Sequence, residues 1–591
     1  MSMKSTFAHN FQEWLHNLDK RPSLLVVLSV LWILVICVIG FFWHLGSTGL
    51  VDETEPLFAE ASRQMVVTGN WITPYFNGET RFDKPALIYW CQAIAYKIIG
   101  VNEWAVRLPS AFAAMVLTSL SFYTVYQYAE PTKNVSLPHK RWIIAVFATI
   151  LMAFCPEMVV WGRIGVSDML LTGFTSCTLL CFFWGYANPP QSKGIFPSPW
   201  YIACYLCAAG GVLTKGPIGF VLPGLVVLVF LLYVGKFWQI VREMKLFIGL
   251  PIVISLSLPW YILVFLQNGQ KYIDSFFGYH NFERFTDVVN GHSAPWYFYF
   301  VVVLLGFAPY SVYLPIAIAK QKFWQRRHWS NRERSQQFGL FTCVWFFVVF
   351  GFFTIAVTKL PSYVLPLMPA AAILVALFWG KFMDDSTTPS ISLQVTAWVN
   401  VSFVTVIAIA LFYVTRIMGS DPAAPEFRAT LQESGITTVG GLIWAISALV
   451  LAFAILRRVW VYLMGINLFA FALFLLFVLT PAQFLMDSQR QLPLRKVAYK
   501  LAQEQKPGEE IVMVGFKKPT AVFYSHRSIT YFTTTPIGKE YLQQKKSQPP
   551  EIKSLLLISQ PKKYPEMGLQ PSDYEVLEQK GAYKLARVSL P

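Results

Sequence analysis

The sequence predicts a polytopic α-helical membrane protein with a small α/β domain at its C-terminus, and three observations predict it. Of 591 residues, 55% are hydrophobic and 14% charged, where a soluble domain carries about 25% charged residues. The chain falls into successive apolar runs of roughly 18–22 residues, the length at which a helix rising ~1.5 Å per residue crosses ~30 Å of hydrocarbon. Beyond residue 484 that pattern stops. Soluble-enzyme, fibrous and disordered classes are excluded, and so is a β-barrel, because the runs are continuously apolar rather than alternating. A formal net charge of +16 would suggest a nucleic-acid partner in a soluble protein. Here its distribution reads as membrane topology, and no nucleic-acid partner is expected.

Residues 1–23 form a cytoplasmic amphipathic segment, with Phe7, Phe11, Trp14, Leu15 and Leu18 at helical spacing before Lys20-Arg21-Pro22. The first apolar run, about 24–43, is too long for a signal peptide and lacks a small-residue cleavage site, so it reads as a retained anchor. Further spans are expected near 105–128, 142–160, 169–187, 200–214, 218–234, 246–266, 296–318, 339–357, 360–380, 396–415, 439–456 and 460–480, about thirteen in all. Alternate loops are basic: Lys133, Lys140 and Arg141; Lys236, Arg242 and Lys245; Lys320, Lys322, Arg326, Arg327, Arg332 and Arg334; Arg457 and Arg458. By the positive-inside rule these loops and the N-terminus are cytoplasmic. An odd number of crossings then places the tail outside. Residues 24–484 are thus the membrane domain, with a long outer loop at 52–104, and 485–591 an extracytoplasmic domain.

In that tail, Arg495–Gln505 reads as a helix. Glu510–Phe516, Ala521–Tyr524, Ser554–Ser559 and the runs around Tyr574–Leu577 and Ala582–Val588 read as strands. The eight cysteines fall mostly inside apolar runs, and Cys204-x-x-Cys207 has no neighbouring histidine. They read as core packing, with no disulfide framework.

Charged residues gather at the outer ends of spans. The outer loop opens with Asp52, Glu53, Glu55 and Glu60, and ionisable groups at such depth line a polar cavity or serve a site. Capping of a helix dipole would account for one or two acids, not for such a run. Lys84 follows in Arg81-Phe82-Asp83-Lys84-Pro85, a cation beside a proline in a Trp- and Tyr-rich loop, suited to an anionic group. Further outer ends carry Arg163 to Asp168, Thr214-Lys215-Gly216-Pro217, Lys359-Leu360-Pro361-Ser362-Tyr363, and His280, Glu283, Arg284 and His292. Bases and acids concentrated on one membrane face predict a cavity that holds phosphate with carboxylates nearby. A transporter of anionic lipids would also need a basic pocket, but transporters place such charges near the midplane within inverted repeats. No such repeat is visible.

At these residues the chain resembles the polyprenyl-phosphate-sugar-dependent glycosyltransferases of GT-C architecture. It is similar to the protein O-mannosyltransferase superfamily, and within it to the bacterial aminoarabinose transferases that modify lipid A. The matching pieces, in order through the membrane part, are Asp52-Glu53-Thr54 with Ala59 to Arg63, Phe82-Asp83-Lys84-Pro85, Arg107-Leu108-Pro109, Asp168, Thr214 to Pro217, Phe282 to Phe285 with Pro295-Trp296-Tyr297, and Lys359 to Tyr363. The chain reads Asp83 where those transferases typically have Glu. It also carries roughly two extra residues between Asp52-Glu53-Thr54 and Ser62-Arg63.

The resemblance implies a sugar moved from a polyprenyl monophosphate, undecaprenyl phosphate in bacteria, to lipid A or another envelope acceptor at the outer face of the inner membrane. For the aminoarabinose branch the sugar is 4-amino-4-deoxy-L-arabinose. A protein O-glycosyltransferase or a glycan ligase using the same donor class is the alternative. No nucleotide is consumed, and no Gly-rich phosphate loop is found in a strand–loop–helix context. By resemblance Lys84, Arg284, Tyr363, Lys215 and Lys359 bind the lipid phosphate. Asp52 acts on the acceptor, with Glu53 and Asp168 as further catalytic candidates. No cofactor is implied with certainty. The metal reading is a divalent ion on Asp83 with His280 or His292.

Overall fold

The computed structural model of the chain describes residues 18–129, 138–189, 194–283, 293–384, 389–547 and 554–590, with only the backbone of 279–283 and 383–384. Most of the expected N-terminal amphipathic segment, residues 1–17, lies outside them. Every expected span falls on a helix or a bent helix pair. Among the described residues nine helices are long and apolar enough to cross a bilayer, or eleven if each bent pair is one span. The pairs are Pro138–Ala153 with Pro156–Gly162, bent 64°, and Phe298–Gly306 with Tyr310–Lys320, bent 111°. Pro156 and Pro309 stand at the breaks, where a ring without an N–H interrupts the helical ladder. Pro199–Lys215 and Ile218–Val234 have 17 residues each, short of the ~20 a perpendicular crossing needs. The expected thirteen is therefore reached only if these two and both bent pairs cross.

Burial sorts the helices. Ser167–Ala187 and Pro361–Phe382 are 94% buried, whereas Pro22–Phe42 and Leu246–Asn268 are 28% buried and Ile391–Ile417 22%. The first two form the axis of the bundle and the others face lipid. Close packing in hydrocarbon depends on small residues. A Cβ on Gly219 would fall 2.1 Å from the carbonyl carbon of Gly211, so the helices on either side of the Lys215-Gly216-Pro217 turn meet backbone to backbone.

The outer loop folds into three pieces: helix Thr54–Thr68, a hairpin of β1 (Tyr75–Phe76) and β2 (Glu79–Thr80), and helix Leu87–Ile99. Asn77 and Gly78 turn the hairpin with φ of +55° and +83°, as a type I′ turn demands. The Asn77 amide bonds both ways to the Ile529 backbone, at 2.8 Å each, and Phe76 packs into the core of the C-terminal domain.

That domain is a five-stranded sheet ordered β4-β3-β5-β7-β6, from β3 (Glu510–Val514), β4 (Thr530–Phe532), β5 (Ser554–Ser559), β6 (Tyr574–Lys580) and β7 (Tyr583–Ser589). The β3–β4 and β3–β5 pairs are parallel and the β5–β7 and β6–β7 pairs antiparallel. Alternate residues build two cores: Ile511, Met513, Leu556 and Ile558 against helix Leu492–Glu504, and Val512, Val514, Leu555 and Leu557 against Leu542 and Tyr564. One expectation is corrected. Ala521–Tyr524 is not a strand but lies in helix Pro519–Ser525, whose seven residues are all buried. A helix buried on every side shows no amphipathic period, and four apolar residues read equally well as a strand. Strand β4 and helix Thr535–Ser547 were not expected.

Candidate active site

A cavity of about 960 Å³ lies between one set of helix ends and the C-terminal domain. Asp52, Glu53, Asp83, Lys84, Asp168, Lys215 and Tyr363 all line it. Asp168 opens the central helix Ser167–Ala187, where a carboxylate meets the positive end of the helix dipole. Lys215 ends helix Pro199–Lys215, and Gly216 turns the chain at φ +82°, a conformation that glycine adopts without a Cβ clash. Lys84 and Asp83 stand just before helix Leu87–Ile99, and Tyr363 lies in the tight helical turn Pro361–Leu367 at the head of the other central helix.

Lys215 Nζ donates to Asp168 Oδ1 at 2.7 Å and lies 5.5 Å from the centre of the Tyr363 ring. An ammonium carries three donors, and Asp168 engages one. Arg81 bonds Asp83 Oδ2 at 2.5 Å, the Tyr89 hydroxyl bonds Asp83 Oδ1 at 3.0 Å, and Lys84 Nζ lies 4.0 Å from Asp83 Oδ2 while donating to the Asp83 carbonyl at 2.6 Å. Arginine, tyrosine and lysine thus converge on one carboxylate, which fixes the basic loop against the cavity wall. Charge-assisted bonds of this kind are the stronger hydrogen bonds in proteins.

A second pocket of about 120 Å³ adjoins the first and shares Asp83, Lys84, Asp168, Lys215, Ser362 and Tyr363 with it. Its remaining wall is mostly apolar, including Leu171, Ile218, Phe276, Phe352 and Phe353. The same lysines therefore face a polar chamber on one side and a greasy pocket on the other. That is the geometry of an amphiphile whose charged head is gripped where its tail begins.

Where the C-terminal domain meets the cavity, Asp52 and Glu53 precede helix Thr54–Thr68. Asp52 Oδ1 accepts from the Thr520 backbone N–H at 3.3 Å and from the Thr520 hydroxyl. Glu53 lies 3.4 Å from Lys518 Nζ. Burial pushes the Asp52 carboxyl above the ordinary aspartate range, and Thr520 and Lys518 pull it partly back. Asp52 thus holds its proton more readily than an exposed aspartate.

Lys359 does not line the cavity: its ammonium donates to the carbonyls of Thr354 and Ala356, both at 2.8 Å, the free acceptors at the end of helix Phe338–Ile355. Asp83, expected as a metal ligand, accepts hydrogen bonds from Arg81 and Tyr89, one at each oxygen. Among the described residues no group of three metal-ligating side chains occurs. Arg284, His292 and the His280 side chain lie outside the described residues. Glu55 and Arg163 are structural: Glu55 pairs with buried Arg107 at 2.8 Å, and Arg163 donates to the carbonyls of Gly40 and Ile39.

Comparison with known proteins places this geometry. Residues 26–273 match the family model for dolichyl-phosphate-mannose-protein mannosyltransferase, and 504–591 the C-terminal domain of cyanobacterial RgtA-type glycosyltransferases. The undecaprenyl phosphate-α-4-amino-4-deoxy-L-arabinose arabinosyl transferase of Photorhabdus laumondii is 29% identical over 382 residues, 64% of each chain. That of Enterobacter sp. strain 638 is 30% identical over 404 residues, 67% of this chain and 66% of its own. This chain has the GT-C glycosyltransferase fold. Its alignments span just under two thirds of those relatives' own length. The crystal structure of ArnT from Cupriavidus metallidurans bound to undecaprenyl phosphate shares the fold, with a TM-score of 0.74, 21% identity, and coverage of 95% of this chain and 97% of that one.

Several lining groups of this GT-C cavity escaped the sequence reading. Lys517 and Pro519 reach it from the C-terminal domain, and Glu79 and Thr80 from the hairpin. The first two are more than 400 residues from Asp52 in sequence, and no local pattern marks them. Arg81 was visible beside Lys84 and Ser362 beside Tyr363, within motifs whose other members drew the assignment.

Proposed function

We propose that this chain is an integral membrane glycosyltransferase that moves 4-amino-4-deoxy-L-arabinose from undecaprenyl monophosphate to lipid A at the extracytoplasmic face of the inner membrane. One observation carries the reading: Lys84, Lys215 and Tyr363 stand where a polar chamber meets an apolar pocket. The aminoarabinose transferases among its relatives, and an ArnT that carries undecaprenyl phosphate in the same fold, support it.

In this reading the polyprenyl chain enters the apolar pocket and its phosphate meets Lys84 and Lys215, joined by Arg284. The sugar occupies the chamber. Attack by an acceptor oxygen on the anomeric carbon forms one C–O bond and breaks the bond to the donor phosphate, which leaves with the electron pair as a polyprenyl monophosphate. Negative charge grows on that departing oxygen, so fixed cations stabilise the transition state more than the ground state, by about 3 kcal/mol for a well-placed donor. Asp168 holds Lys215 in place. A phosphate acceptor is already ionised and needs no base, so Asp52 orients the acceptor or the amino sugar. The match to protein mannosyltransferases over residues 26–273 favours a second reading, a protein hydroxyl acceptor whose proton passes to Asp52. In both, the basic loops and the N-terminus are cytoplasmic and residues 485–591 lie outside.

The test is transfer in detergent from undecaprenyl-phosphate-linked aminoarabinose to lipid A, read by mass spectrometry. Asp52→Asn is expected to lower turnover by about 10²-fold, the scale of lost positioning, while undecaprenyl phosphate still binds. Full turnover by that variant removes Asp52 from the mechanism. Absence of sugar on lipid A, with sugar on envelope protein, selects the second reading.

A further inference from the structure

Among the described residues, the Asp52 carboxylate takes its hydrogen bonds from Thr520 alone, through the hydroxyl and the backbone N–H at 3.3 Å. Thr520 is fully buried. It belongs to the C-terminal domain, which is fastened on both sides of this contact. Leu50 N donates to the Tyr524 hydroxyl at 3.1 Å, and that hydroxyl donates to Glu103 at 2.8 Å. Gly49 N donates to Asp487 at 2.8 Å, and Arg495 bridges Asp487 and Glu103 at 3.0 and 3.3 Å. The hairpin grips Ile529 through Asn77. One buried helix, Pro519–Ser525, thus holds the chain before Asp52 through Tyr524 and the carboxylate itself through Thr520.

We propose that Thr520 is a positioning residue for Asp52, so that the C-terminal domain completes the transfer site. The proposal rests on the reading of Asp52 as the acceptor-side carboxylate. A carboxylate oxygen held by two donors of a rigid helix keeps one rotamer. Without them Asp52 is a short side chain at the edge of a 960 Å³ chamber, free to rotate away from the acceptor. A hydroxyl that donates to the ionised form also favours that form. The other titratable groups that face Asp52 are Glu53 and Lys518 beside it and Tyr531 and Tyr583 from the sheet. Of these Lys518 favours the charge and Glu53 opposes it. Thr520 is the neutral group that can set orientation without adding charge to the chamber.

Thr520→Val keeps the shape and removes the hydroxyl. In the full-length protein, with undecaprenyl-phosphate-linked aminoarabinose and lipid A, it is expected to lower kcat by about 10- to 100-fold, the loss of a charge-assisted hydrogen bond. KM for the donor should stay within about twofold, because Thr520 lies at the acceptor wall. The acid limb of kcat against pH should move to higher pH, since the proton on Asp52 is then harder to remove. Thr520→Ser, which keeps the donor, should restore both rate and limb. If Thr520→Val does not fold, judged by its thermal transition, Thr520→Ala is read in the same way. A Thr520→Val or Thr520→Ala variant with the wild-type kcat and an unmoved limb overturns the proposal, as does a Thr520→Ser variant as impaired as either. Full turnover by Asp52→Asn is a separate failure, of the reading of Asp52 itself.

Discussion

Two clusters of buried charge lie side by side at one end of the bundle, and they differ in how much of each side chain stays exposed. In the first, Glu55 takes hydrogen bonds from Arg107 at 2.8 and 3.0 Å, from Gly165 N at 2.7 Å and from Val51 N at 2.7 Å. Arg107 spends its other donors on the carbonyls of Leu45, Thr48 and Gly49. Both side chains are at most 1% exposed. In the second, Asp168, Lys215, Asp83 and Lys84 are paired but face open volume. A charge withdrawn from water costs several kcal/mol unless every valence is met. The first cluster meets them all and is a fastening between the first span, helix Glu103–Tyr128 and the loop at Gly165. The second keeps 10–16% of each side chain exposed where the first keeps at most 1%, which is what a binding site requires. Charge beside the ends of apolar spans marks both clusters, and only that exposure tells them apart.

Substitutions can break that comparison. Glu55→Gln should act on the fold, because it leaves the Arg107 charge buried without its partner, a loss of about 3–5 kcal/mol. Thermal unfolding in detergent should register that before any assay of transfer. Lys84→Ala should do the reverse, keeping the thermal transition near that of the wild type while lowering kcat/KM by about 10²–10³-fold, whereas Lys215→Ala, which also leaves buried Asp168 without its ion pair, should lower both. An unchanged affinity for undecaprenyl phosphate in both would remove them from the phosphate site. The acidic limb of the wild-type pH profile comes next. Burial raises the Asp52 pKa, the working form is ionised, and transfer should therefore fall with decreasing pH at a higher value than for an exposed aspartate. An acid limb in the ordinary aspartate range would contradict this. Lys359→Ala should have the smallest effect, roughly 1 kcal/mol of stability from the lost helix-end bonds, with kcat/KM within about threefold.

Lys215 and Lys359 show how far the sequence could be read. Lys215-Gly216-Pro217 and Lys359-Leu360-Pro361 look alike as strings, a lysine two residues before a proline at the outer end of a span. In the first, Gly216 lets the chain turn with its lysine aimed at Asp168. In the second, the unpaired carbonyls of the preceding helix capture the lysine. Glu55 and Asp52 divide in the same way, three residues apart in one acidic run. Asp83 takes hydrogen bonds from Arg81 and Tyr89, neighbours that sequence shows only as nearby letters.

The sequence by itself determined the membrane class, the positions of the spans and seven of the side chains that line the cavity, Asp52, Lys84 and Lys215 among them. It could do so because hydrophobic length, charge asymmetry and short turn motifs are local properties of a chain in contact with lipid and water. Tertiary structure alone decided which charges are fastenings and which are open. It also decided that a domain more than 400 residues downstream closes over Asp52. The physical reason is that the saturation of a buried charge depends on partners from several distant segments, and no window of sequence contains them together.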